Sequence, residues 1–200
     1  MEDDHLDVAF IRTRVPREKE IVFHSLLEEP MVAALPDGHA LARGKAGEAL
    51  TLKQLSDETF VVYRQHGAWA VMRDAVFAAC RAAGFSPRVG QEAPHVISTL
   101  PFVAIGIGIS IVPASLEDLN VRGVVYRSLK GGPLLKAPLN LASRRGDPSE
   151  VVRQFVALAR RKAKGFDPLH KRRSQRTNGL NTSSNRSCPV VCPSLQMSMP

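Results

Sequence analysis

The eleven residues Val103-Ala-Ile-Gly-Ile-Gly-Ile-Ser-Ile-Val-Pro113 constrain the fold more than any other stretch of the chain. They read as a helix end, a glycine turn, a buried strand and a proline stop. Gly106 and Gly108 supply the backbone freedom needed to leave a helix and turn sharply. The β-branched run Ile107, Ile109, Ile111, Val112 is apolar on both faces, as a fully covered strand requires. A helix that returns directly into a covered strand belongs to an α/β domain. The order also speaks against dinucleotide phosphate binding, whose fingerprint runs strand, glycines, helix and carries a third glycine. The two glycines are therefore expected to serve close packing of helix on strand.

The rest of the chain continues that alternation. Leu6 to Ile11 reads as a strand, and Ile21 to Leu27 and Pro30 to Leu35 as two more, the second closed by the turn residues Pro36-Asp37-Gly38. Thr51-Leu-Lys-Gln54 has the spacing of a capping box, and Phe60 to Tyr63 reads as a strand. The clearest helix is Ala68 to Ala83, with Trp69, Met72, Val76, Cys80 and Ala83 at helical spacing and Gly84 as its stop. Ser86 to Gln91 is the next strand. Pro94 then opens a helix through Val96, Ile97, Leu100 and Val103, where Pro101 either kinks it or marks its first turn. Ala114 to Asp118 reads as a short helical piece, Gly123 to Arg127 and Lys136 to Ser143 as strands. Asp147-Pro148-Ser149-Glu150 reads as a helix start with Asp147 as N-cap, and Val151, Val152, Phe155, Leu158 and Ala159 are expected on the core. Beyond about Gly165 no packed structure is expected, so residues 165–200 read as a disordered basic tail.

The net charge of +8 suggests nucleic acid until its distribution is read. Residues 1–159 hold 18 basic and 18 acidic side chains, whereas residues 160–200 hold nine and one. The globular part is neutral, and the excess belongs to the tail, with polyanion contact as its secondary use. No apolar run approaches a membrane span, and the acidic start Met1-Glu-Asp-Asp-His5 does not resemble the basic region of a secretory signal. A cytoplasmic location is expected. Cys80 reads as a small buried hydrophobe, and Cys188 and Cys192 lack the second ligand pair of a zinc site. No metal, cofactor or catalytic residue is expected, since the sequence holds no His-Glu-x-x-His, Gly-x-Ser-x-Gly or Walker glycine-lysine run and no cysteine with a histidine at motif spacing, and the six histidines are scattered.

Four phrases, Leu6-Asp-Val-Ala-Phe-Ile11, Glu29-Pro-Met-Val-Ala-Ala-Leu-Pro-Asp-Gly-His-Ala-Leu-Ala42, Ala79-Cys-Arg-Ala-Ala-Gly-Phe-Ser-Pro87 and Gly106-Ile-Gly-Ile-Ser-Ile-Val-Pro113, recur in one family in this order. Over residues 5 to about 163 the chain resembles the effector-binding domain of LysR-type transcriptional regulators. That resemblance implies an α/β, periplasmic-binding-protein-like (type 2) fold with mixed sheets, in which two lobes close on a small effector and signal to a winged helix-turn-helix. By it, residues 60–124 are the second lobe, and residues 1–59 with 125–164 are a partial first lobe. The first lobe's opening strand-helix-strand and the helix-turn-helix find no counterpart here. The chain is thus expected to be amino-terminally truncated, to meet DNA only through a helix-turn-helix that it does not carry, and to expose a sheet edge and apolar surface.

The resemblance further implies an aromatic or small organic carboxylate as effector, bound against the loop Arg64, Gln65, His66, Gly67, Ala68, Trp69. The loop precedes a helix, so its N–H groups and the helix dipole favour an anion, to which Arg64 or His66 adds charge. The alternative is an ordinary solvated loop. Ser98 and Thr99 offer hydroxyls to the same cleft or bond their own backbone. Trp69 stacks on an aromatic effector or packs in the core, and Glu92 is a cleft carboxylate or a surface one. Closure is expected to hinge near Phe60 to Tyr63 and Gly123 to Tyr126. Two rivals stand beside this non-enzymatic sensor. One is a fragment acting only as an oligomerisation partner of intact regulators, the other an exported solute-binding protein, which the acidic start disfavours.

Overall fold

The computed structural model describes residues 6–12, 20–43, 48–64, 68–130 and 135–165, with the side chains of residues 68–70 left aside. The expected disordered tail, residues 165–200, therefore lies outside the described residues save for Gly165. The fold is organised around one long strand, β2 (Ile21–Pro36). Its first half pairs antiparallel with β8 (Lys136–Arg144), which in turn carries β1 (Val8–Ile11) on its far side. Its second half lies between β6 (Ser110–Pro113) and β7 (Val124–Lys130), and β3 (Leu50–Thr51) adds to β7 in parallel. A separate parallel pair is formed by β4 (Thr59–Tyr63) and β5 (Arg88–Ala93). Among the described residues three α-helices complete the order: α1 (Ala68–Ala82) and α2 (Thr99–Ala104) follow β4 and β5, and α3 (Glu150–Lys164) follows β8. These are mixed sheets in an α/β domain, as expected.

The two strands read from Ile21 to Leu27 and from Pro30 to Leu35 are in fact continuous. Pro30 cannot donate to a ladder, yet it does not break the strand. It sits instead where β2 changes partners: pairing with β8 ends at Pro30, and pairing with β6 begins at Met31 and with β7 at Val32. One residue earlier lies Glu29, 1% exposed. A buried carboxylate needs partners, and it has them. Arg12 pairs with Oε1, the Ser115 amide donates to Oε2 at 2.6 Å, and the Ser115 hydroxyl donates to Oε1 at 3.1 Å.

Several local signals act as read. The Gln54 side chain accepts from the Thr51 amide at 2.8 Å, closing the start of a single 3-10 turn over Leu52–Leu55. On α1, Met72, Val76 and Cys80 are buried, and Gly84 leaves the helix at φ +91°. Pro101 falls in the first turn of α2, where its missing N–H costs no helix bond. That helix is shorter than expected, and β5 begins two residues later than the sequence suggested. Asp147 is not the cap of α3. Its carboxylate is engaged by Arg144 at 3.2 Å and by the Ser149 amide at 2.9 Å, so the cap passes to Ser149, whose hydroxyl accepts from Val152 N. Val152 is buried, but Val151 is 75% exposed and Phe155 and Leu158 are partly so, against the expected core placement.

In the Val103 to Pro113 phrase the glycines do two different jobs. Gly106 adopts φ +80°, the left-handed exit from α2. Gly108 is pressed on β4: a Cβ there would stand 2.4 Å from the Thr59 carbonyl oxygen. The strand is shorter than the apolar run. Only Ile109 onward is covered, and Ile105 and Ile107 remain exposed, because the chain is still turning where the sequence reads as strand.

Candidate functional site

Strands β4 and β5 run parallel, so their carboxyl ends fall on the same side of the sheet. The chain leaves both there, into α1 and α2. The Arg64 amide donates to the Ala93 carbonyl at 2.9 Å, drawing the two exits together just past the last paired residues, Tyr63 and Ala93. In open α/β sheets this is where ligands bind, since helix amino termini and free backbone N–H groups converge there. Helix α1 is 15 residues long and carries no acidic residue in its first turn to neutralise that end.

The sequence-derived residues divide as follows. Arg64 is exposed at this rim. Gln65, His66 and Gly67 lie outside the described residues, as does the side chain of Trp69, although Trp69 itself stands in the first turn of α1. Ser98 precedes α2, is partly buried and makes no capping bond with its side chain. Thr99 is fully buried, and its hydroxyl donates to the Val96 carbonyl at 2.7 Å. Of the two hydroxyls, one is therefore held by its own backbone and the other is not.

Two charged residues complete the rim. Arg73, one and a half turns into α1, donates through Nη1 to the Tyr63 carbonyl at 3.2 Å and pairs with Glu92 Oε1 at 2.8 Å. Its guanidinium carbon lies 5.2 Å from the centre of the Phe77 ring, a cation–π distance. Arg73 thus ties the helix to the ends of both strands. Sequence reasoning passed over it, although Arg73 and Phe77 are four apart on one helix face. Glu92 is about half exposed and serves as this ion pair's outer partner. Burial pushes Tyr63, at the end of β4, well above the ordinary phenol range, and pushes the Cys80 thiol up to about 11. Neither side chain is poised as a base or nucleophile. Among the described residues no group of His, Cys, Asp and Glu could hold a metal ion, and no helix is long and apolar enough to cross a membrane.

A mixed α/β domain with a polar rim at the carboxyl ends of parallel strands defines a ligand-binding domain by architecture. Comparison with known proteins makes the class specific: residues 1–164 match the LysR substrate binding domain, and the chain belongs to that family. It is 32% identical over 163 residues to the HTH-type transcriptional regulator CatR of Pseudomonas putida, covering 82% of this chain and 54% of CatR. It is 31% identical over 157 residues to the Hca operon transcriptional activator HcaR of Escherichia coli K12, covering 76% and 50%. The chain thus spans about half the length of these curated relatives. Among solved structures, the effector binding domain of QuiR in complex with shikimate superposes with a TM-score of 0.67 at 22% identity, over 82% of this chain and 75% of that one. The BenM effector binding domain with benzoate gives 0.61 at 24%, over 82% and 73%. These likenesses establish the fold, a type 2 periplasmic-binding-protein-like one.

Proposed function

We propose that the chain is the effector-sensing part of a transcriptional regulator and binds a small organic carboxylate, without altering it, at the rim where β4 and β5 end. The observation that carries this is the convergence of the two strand exits beside the amino terminus of α1, with Arg64 exposed at the same place. In this reading the N–H groups of Gln65, His66, Gly67 and Trp69 and the helix dipole hold the carboxylate, the Arg64 side chain adds charge, and Ser98 offers a hydroxyl. Thr99 acts from beneath, holding the turn through Val96. Trp69 flanks the rest of the ligand. That QuiR and BenM were solved with shikimate and benzoate supports carboxylates as the first class to try.

Two lobes would close on such a ligand, and the strand pairing favours β2 as the element that passes between them. Its first half belongs with β1 and β8, its second with β6 and β7. Sensing is then a shift between open and closed populations, biased by ligand contacts present only in the closed form. Thermal-shift screening of aromatic and aliphatic carboxylates tests the proposal. A rise in midpoint with at least one, lost in Arg64→Ala, supports it, and a cooperatively folding sample that responds to none counts against it.

One observation favours the second reading, association with intact relatives. Among the described residues strand β1 is an edge, and its Phe10 is 56% exposed, the ring 6.3 Å from that of Phe155. An open edge with aromatic surface invites another chain. Sedimentation of the chain alone and mixed with a full-length relative separates the two readings.

A further inference from the structure

Strand β4 meets the start of β6 at a single parallel bridge among the described residues, from Phe60 to Ile109, the residue that precedes β6. Beyond it β4 continues with β5 and β6 with β2. A small cavity opens at the split, lined by Tyr63, Ser110 and Ile111 from the strands and by Arg73, Val76 and Phe77 from α1. It has room for about one water-sized atom. Ser110 is 1% exposed, and among the described residues its hydroxyl has no hydrogen-bond partner. A buried hydroxyl left unmatched is unfavourable, and its position in a cavity wall indicates what would match it: an oxygen or nitrogen arriving from elsewhere. Arg73 lines the same space, and among the described residues both its polar contacts engage Nη1.

We infer that this cavity is a subsite for one oxygen of a ligand substituent, a hydroxyl or second carboxylate, held between the Ser110 hydroxyl and the Arg73 guanidinium. Glu92 is the resident carboxylate that occupies Arg73 until the ligand arrives. The inference rests on reading the adjoining rim as an anion site. It deepens that reading by favouring hydroxy acids and dicarboxylates over simple monoacids. The exchange is physically cheap. The Glu92 side chain is 47% exposed and can turn into water, and an ion pair so placed contributes little. Arg73 is 15% exposed and stays, fixed by Tyr63 and Phe77.

The test uses the full chain labelled with nitrogen-15 in arginine, with the Arg73 side-chain resonance assigned by Arg73→Met. Salicylate, phthalate and benzoate are titrated separately, and the unfolding midpoint of every variant is measured. The Arg73 resonance should shift saturably with salicylate or phthalate and not with benzoate, Glu92→Gln should lower the half-saturating concentration by about threefold, and Ser110→Ala should raise it without lowering the unfolding midpoint. An Arg73 resonance indifferent to salicylate and phthalate in the wild type and in Glu92→Gln overturns the inference, as does an unchanged titration in Ser110→Ala. The backbone amide of Arg64 read in the same samples separates the two ideas. If it titrates while Arg73 does not, the subsite falls and the rim stands, and the converse removes the rim.

Discussion

The two halves of β2 live in different surroundings. From Met31 to Leu35 every residue is at most 2% exposed, with β6 on one side and β7 on the other. From Ile21 to Glu28 the strand is partly open, among the described residues its pairing is with β8 alone, and β1 and α3 beyond it expose Phe10, Val151 and Leu158. One sequence element thus contributes a two-sided core at one end and a one-sided face at the other. Stability is concentrated in the first, while the second keeps the apolar surface from which association would start.

The largest effect should come from the dense half. Leu35→Ala removes a fully buried side chain and should cost about 2–5 kcal/mol in denaturant unfolding, with the slope unchanged. Next is the junction. Glu29→Gln leaves Arg12 facing a neutral group where a buried carboxylate stood, and should cost about 3 kcal/mol. In the open half, Phe10→Ser gives up an exposed ring and an edge contact, and should cost under about 1 kcal/mol while reducing any self-association seen by sedimentation. If Phe10→Ser proves as costly as Leu35→Ala, the contrast between the halves is wrong.

The halves should also answer differently to pH, and this is the smallest effect. Burial pushes Cys80 up to about 11 and Tyr126, aided by Glu117, up to about 12. Their ordinary values are 9.0 and 10.0, so the unfolded chain gives up these protons first, and stability should decline as pH rises from about 9. Cys80→Ser should flatten the first part of that decline. His24 in the open half is held below 6.5 by burial and then by Arg160. The unfolded chain there takes up the proton first, so stability should decline as pH falls below about 6.5, and His24→Gln should remove part of that slope.

What the sequence made legible follows from the same contrast. Signals written in adjacent residues were read directly: the Thr51–Gln54 box, the left-handed Gly106, the buried stripe of α1. Contacts between distant segments were not. Nothing in Pro30 itself says that β2 changes partners there, and nothing in Glu29 says that it is buried against Ser115, 86 residues away. The cap of α3 moved from Asp147 to Ser149 because Arg144 claims the aspartate. At the site, Arg64 and Ser98 were visible as residues flanking strand and helix ends. Arg73 became visible only once the fold set it against Tyr63 and Glu92, and Ser110 only once its hydroxyl was seen to be enclosed.

The most direct measurement is amide chemical-shift mapping of the chain with a panel of small carboxylates. The account predicts that at least one produces saturable shifts clustered from Arg64 to Trp69 and at Ser98. Saturable shifts confined to β1 and α3, or none across the panel in a folded sample, would contradict it.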